Sequence, residues 1–138
     1  MGTRSGIAVE IEDGKSIRSY CHWDGYPSNN GKLLLEFYNT KEKAEELVRI
    51  GNMSSLAPSC EKPEGHTFDT PVKGYCTFYG RDRGEEGTNC IEAETDDTSA
   101  DGWEEFLYQF KDGKWFVNRV HKKSEGWIEL TLEFCKED

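Results

Sequence analysis

Apolar and polar residues alternate from Gly6 to Glu12, where Ile7, Val9 and Ile11 are interleaved with Ala8, Glu10 and Glu12. That period of two predicts a half-buried strand. Asp13-Gly14 marks a turn, and Ser16 to Trp23 reads as the returning strand of a hairpin. A two-residue loop sets Val9 against Arg18 and turns Ile17 to the wrong face. A three-residue loop of Glu12, Asp13 and Gly14 sets Val9 against Ile17. Ile7, Val9, Ile11, Ile17, Ser19 and Cys21 then share one face, and Arg4, Tyr20, His22 and Asp24 share the other.

Asp24-Gly25-Tyr26-Pro27 ends that strand, because proline cannot donate to a ladder. Ser28, Asn29 and Asn30 are competent caps for a helix from about Gly31 with an apolar stripe of Leu33, Leu34 and Phe37. A second helix is predicted from Lys41, capped by Thr40, with Ala44, Leu47 and Val48 inward, Glu45 paired to Arg49, and Gly51-Asn52 as its end. Residues 54 to 71 read as a long ordered loop. Beyond them, strands are expected over Val72 to Tyr79 and Ile91 to Thr95, in a hairpin from Glu105 to Val120 around Asp112-Gly113, and from Ile128 to Cys135. Residues 96 to 101 read as a solvated turn. The sum is a single α+β domain spanning 1-138, with a mostly antiparallel sheet of six to seven strands and a helix pair inserted after the first hairpin.

The longest apolar runs are three residues each, Leu33 to Leu35 and Trp115 to Val117, far short of the roughly 20 of a membrane helix. The first residues lack the apolar core of a signal peptide, so a cytosolic location is expected. The five cysteines, Cys21, Cys60, Cys76, Cys90 and Cys135, have no zinc-type spacing, and their odd number fits a disulfide framework poorly. Reduced thiols without a metal or cofactor are the expectation, with a zinc site of Cys60, His66, Cys76 and Cys90 as the alternative. The formal net charge is −10, but residues 82 to 105 hold ten acidic residues against Arg83 alone and so carry −9 of it. Extensive binding to a nucleic-acid backbone is excluded for so acidic a chain. A locally positive pocket elsewhere is not.

Two groups of residues are candidates for chemistry. Arg4, His22, Asp24 and Tyr26 gather where a strand empties into a turn: Arg holds an anion, His moves a proton near neutral pH, Asp orients it, and Tyr stacks or donates. The local alternative pairs Asp24 with Arg4 across the hairpin and packs Tyr26 and Pro27 on the first helix. In the second group, Tyr79-Gly80-Arg81-Asp82-Arg83-Gly84-Glu85, Arg81 and Arg83 stand in a glycine-flanked loop suited to phosphate or carboxylate, or else neutralise the acidic segment beside them. The segment matches neither a P-loop nor a dinucleotide fingerprint. Catalysis would have to use His22 with Asp24, or His66 with Asp69.

Thr3-Arg4-Ser5 before an Ile-Ala-Val strand, then Tyr20-Cys21-His22-Trp23-Asp24-Gly25-Tyr26-Pro27, Gly31-Lys32 and Leu34-Leu35, resembles a family of small tailed-bacteriophage proteins. Gly65-His66-Thr67-Phe68 and Tyr79 to Gly84 are similar to segments in the middle of its members, so the resemblance covers roughly the first 85 residues. It implies a setting, the host cytoplasm, and a role as an accessory protein in host takeover or counter-defence. The expected function is binding of a host-derived small anionic ligand, a nucleotide-like immune signal, by Arg4, His22, Asp24, Tyr26, Arg81 and Arg83. One alternative is an acidic nucleic-acid mimic that inhibits a host defence protein through residues 82-105. The other is a small hydrolase or phosphodiesterase using His22 and Asp24. Trp103, Trp127 and the last strand are candidates for a homo-oligomer contact.

Overall fold

The computed structural model describes residues 3–98 and 104–137. The first hairpin forms from β1 (Ser5–Glu12) and β2 (Lys15–Cys21), with Val9 opposite Ile17 as predicted. The extra residue is absorbed differently from the three-residue loop: Glu12 pairs with Lys15 across Asp13-Gly14, and the register slips between Glu10 and Glu12. After β2 a wide helical turn, Pro27–Gly31, runs into α1 (Lys32–Phe37), and α2 (Lys41–Ile50) follows. The Thr40 hydroxyl accepts from the Lys43 N–H at 3.2 Å, Glu45 pairs with Arg49, and Ala44, Leu47 and Val48 are buried, all as the spacing predicts. The first helix differs. None of its expected caps caps it: Asn30 is buried and donates to Ser5 Oγ and Cys21 Sγ, while Phe37 is exposed and its neighbour Tyr38 is buried.

The chain continues through β3 (Met53–Ser55), β4 (Thr77–Phe78), α3 (Tyr79–Arg83), β5 (Ile91–Glu94), β6 (Phe106–Lys111), β7 (Lys114–Arg119), β8 (Trp127–Glu129) and α4 (Leu132–Glu137). The sheet order is β4-β3-β2-β1-β6-β7-β8, with β5 also paired to β2. The sheet is mixed. β1 runs parallel to β6, and β2 runs parallel to β3 after the helical crossover, while the hairpin pairs are antiparallel. The second hairpin closes on Asp112-Gly113, both at positive φ (53° and 77°), the type I′ geometry that Asp-Gly favours.

Two expected strands are corrected. From Val72 to Tyr79 only Thr77–Phe78 is strand; Gly74, at φ 91°, bends the chain before it, and Tyr79 already starts α3. The segment from Ile128 to Cys135 is strand only to Glu129, after which Thr131 Oγ1 accepts from the Phe134 N–H at 3.1 Å and caps α4. Leu132 is exposed and Cys135 is buried, the reverse of what strict alternation requires. Leu, Glu and Lys after a threonine cap suit a helix better than an edge strand.

β1 lies at the centre of the sheet and both of its faces are covered. On the helix side, Ile7, Val9 and Ile17 join Tyr108, Phe110, Trp115 and Val117 beneath α2, and Trp115 Nε1 donates to the Tyr38 carbonyl at 3.0 Å. On the other side the acidic segment folds across the sheet. Asp96 and the buried Gln109 exchange two hydrogen bonds, at 2.6 and 2.8 Å, and Lys111 and Trp127 hold Asp96 at 3.1 Å each. Arg18 donates to the Asp97 carbonyl. Of the expected solvated turn, Asp96 and Asp97 are thus pinned to the sheet, while residues 99 to 101, with Trp103, lie outside the described residues. Among the described residues, no helix is long and apolar enough to cross a membrane.

Candidate functional site

The hairpin parity that places Arg4, Tyr20 and His22 on one face also brings them into contact. Tyr20 and His22 sit two residues apart on the strand that β3 extends, where the His22 and Trp23 N–H groups donate to the Met53 and Ser54 carbonyls at 3.1 and 3.0 Å. The Tyr20 hydroxyl lies 2.7 Å from His22 Nδ1, and the Arg4 guanidinium hydrogen-bonds the same phenol. Burial pushes the Tyr20 phenol up while Arg4 opposes it. Burial, then the Arg4 charge, holds the His22 imidazole below its usual range, so the ring is neutral at pH 7. Trp23 packs edge-on against His22 with ring centroids 4.7 Å apart and presents 43% of its surface to solvent.

The strip continues onto α3. The Tyr79 N–H donates to the Asn52 carbonyl at 3.2 Å, its phenol hydrogen-bonds Ser54, and its proximity raises Tyr20 further. The Arg83 guanidinium stacks 4.2 Å over Phe68 and 5.2 Å from Tyr79, paired with the Glu85 carboxylate. Arg4, Tyr20, His22, Tyr79 and Arg83 thus form a surface with an arginine at each end and aromatic rings between.

Asp24 and Tyr26 form a separate exposed couple. Asp24 has a left-handed backbone (φ 55°), its carboxylate accepts from the Tyr26 hydroxyl at 3.3 Å, and that carboxylate pushes the Tyr26 phenol up. The expected His22–Asp24 couple is replaced by His22–Tyr20.

Arg81 does not join the site. The Tyr79–Gly84 segment is a helical turn rather than an open glycine loop, and it directs Arg81 inward. Its guanidinium donates to the carbonyls of Cys60, Glu61 and Cys76 and to both oxygens of Asp82, which satisfies it internally. The Asp82 carboxylate is inaccessible, accepts from the Phe78 N–H at 2.8 Å, and lies 3.3 Å from Nε2 of the equally buried His66. His66 Nδ1 accepts from the Val72 N–H at 2.9 Å, and its Nε2, which makes no hydrogen bond, faces Asp82. His66 therefore pairs with Asp82 and not with Asp69.

The cysteines are unbridged, and four of them are buried. Cys60 donates to Glu46 Oε1 at 3.3 Å, Cys76 lies 3.4 Å from the Tyr38 hydroxyl, and among the described residues no group of three or more His, Cys, Asp or Glu is placed to hold a metal ion. Burial pushes the Cys21 and Cys60 thiols up to about 12, with Glu46 adding to the effect at Cys60. At pH 8 both thiols stay protonated. Iodoacetamide at that pH is expected to alkylate the half-exposed Cys90 first, and peptide mapping checks the order.

Sequence reasoning placed Tyr20 on the right face but assigned it no role, and it missed Trp23, Phe68 and Tyr79. The available signal was parity: Tyr20 lies between Arg18 and His22 on a strand whose other face is apolar. Phe68 carried no signal, because its approach to Arg83 depends on a loop held by Arg81 and Asp82. No protein-family model matches the chain, and comparison with curated proteins and with solved structures likewise found no match.

Proposed function

We propose that this chain is a phage accessory protein that acts in the host cytoplasm by binding a small anionic ligand with an aromatic ring, of the nucleotide class, and that it serves counter-defence by sequestering that ligand. The observation that carries this reading is the strip bounded by Arg4 and Arg83, with Tyr20, His22, Trp23 and Tyr79 between and beside them. Guanidinium groups grip phosphate, and a half-exposed indole offers a stacking face to a base. Binding is favoured over hydrolysis because the His22 ring is held by a phenol and not by a carboxylate. The acidic mimic is less favoured: Asp82 is buried and Asp96 is tied to Lys111 and Gln109, so the described carboxylates between 82 and 105 do not all share one exposed face.

Isothermal titration against linear and cyclic nucleotides tests the proposal, with micromolar binding by at least one ligand expected and silence across the panel overturning it. Arg4→Ala and Arg83→Ala should each weaken binding by about tenfold or more, the scale of one charged hydrogen bond. A bound anion stabilises protonated His22, which is neutral in the free protein. Affinity should therefore rise as pH falls from 8 into and below the usual imidazole range, and His22→Ala should flatten that rise.

A further inference from the structure

β5 lies outside the strip of Arg4, Tyr20, His22, Tyr79 and Arg83. β5 hydrogen-bonds to β2 along one edge, and among the described residues its other edge has no strand partner. Exposed edges of this kind invite pairing with another chain. Ile91, at the start of the strand, is 57% exposed. The register sets Ile91 and Ala93 opposite Arg18 and Ser16, on the face away from α2, and sets Glu92 and Glu94 opposite Ile17 and Lys15, on the helix side. Glu92 and Glu94 border a groove of about 430 Å³ at the end of the hairpin that also takes in Ile11, Glu12, Lys15 and Ala93. Its charge is three carboxylates against one ammonium.

We propose that the outer edge of β5 receives an extended, cationic segment of a partner protein by strand addition, with alternating Lys or Arg and apolar side chains. The basic residues lie beside Glu92 and Glu94, with their charged heads at the carboxylates, while the apolar residues lie beside Ile91 and Ala93. The same carboxylates reject a second copy of this chain: an antiparallel self-pairing centred on Ala93 sets Glu92 directly against Glu94, and like charges facing each other destabilise a sheet. An edge that repels its own copy and attracts only a basic strand is selective by charge.

The test uses the isotope-labelled full chain and three capped hexapeptides: alternating Lys-Val, alternating Glu-Val, and a block peptide of three Lys followed by three Val. The alternating Lys-Val peptide should bind and shift the amides of residues 91 to 94 and of their partners on β2, and the Glu-Val peptide should not. Glu92→Lys with Glu94→Lys, both exposed positions, should weaken Lys-Val binding by about tenfold and create binding of the Glu-Val peptide, since each cross-strand charge pair is reversed in sign. Shifts centred elsewhere, equal binding of the block peptide, or an unchanged affinity in the charge-reversed variant would each overturn the proposal.

Discussion

Asp82→Ala is expected to destabilise the protein by about 3–5 kcal/mol, the usual cost of removing one partner from a buried ion pair. The carboxylate is fully inaccessible, and it takes hydrogen bonds from Arg81 Nε at 2.9 Å and from the Phe78 N–H at 2.8 Å, with His66 Nε2 at 3.3 Å. Without it, the Arg81 guanidinium loses its carboxylate acceptor, and the buried His66 Nε2, which makes no hydrogen bond, loses the negative charge beside it. The loss spreads along the loop, because Arg81 ties down the Cys60 and Cys76 carbonyls and the Asp82 carbonyl accepts from Phe68 at 3.2 Å. Phe68 is the ring on which Arg83 stacks, so the variant should also weaken ligand binding at that end of the strip.

The same residue predicts the acid branch of stability. Burial works to raise the Asp82 carboxyl, but the Arg81 hydrogen bonds and the Phe78 N–H overcome it and hold the group below the usual carboxylate range. A folded-state pKa below the unfolded one contributes stability that is complete above the unfolded value and is lost as pH falls through the folded value. Chemical denaturation should show Asp82→Asn well below the native protein at pH 7, with the gap closing as pH falls through and below the usual carboxylate range. A gap that stayed constant to acid would exclude the charge as the source.

Gly25→Ala should cost about 2–3 kcal/mol, since an added methyl group has no room and its neighbours are not flexible tips. A Cβ there would lie 2.7 Å from Ser5 Cβ and 2.8 Å from the Thr3 carbonyl oxygen. The approach is close because the Gly25 N–H donates to that carbonyl at 2.7 Å while the buried Tyr108 hydroxyl donates to the Gly25 carbonyl at 2.6 Å. These two bonds fasten the turn after β2 to β1 and β6, and with it the backbone that presents Trp23. Denaturant midpoints measure the loss. A ligand titration should also show weaker binding, as the indole shifts with the turn.

The readable parts of this chain were those in which a few adjacent residues decide the outcome. Val9 faces Ile17 because alternation on two strands joined by a short turn admits one register that buries both. Thr40 caps α2, and Asp112-Gly113 closes a hairpin, through bonds made within four residues. The placement of Arg4 beside Tyr20 and His22 followed from the same parity. Leu132 and Phe134 failed that logic, since their short alternation was equally compatible with a capped helix, and burial of Cys135 with exposure of Leu132 marks the helix.

What the amino-acid order determined, then, was the identity of the local elements, the face each residue takes on a hairpin, and the exclusion of a broad basic surface from a chain of net charge −10. Only the tertiary structure decided that β1 pairs in parallel with β6, because that neighbour lies about a hundred positions away and its direction depends on how the intervening chain returns. Only the fold separated two arginines two residues apart, turning Arg81 inward onto Asp82 and leaving Arg83 outward on Phe68. In a helical turn, positions two apart point to different sides, and which side is buried depends on the loop that packs against it. The ten carboxylates from 82 to 105 were alike in the sequence; burial made Asp82 a structural anchor, and Gln109 and Lys111 made Asp96 a clip across the sheet.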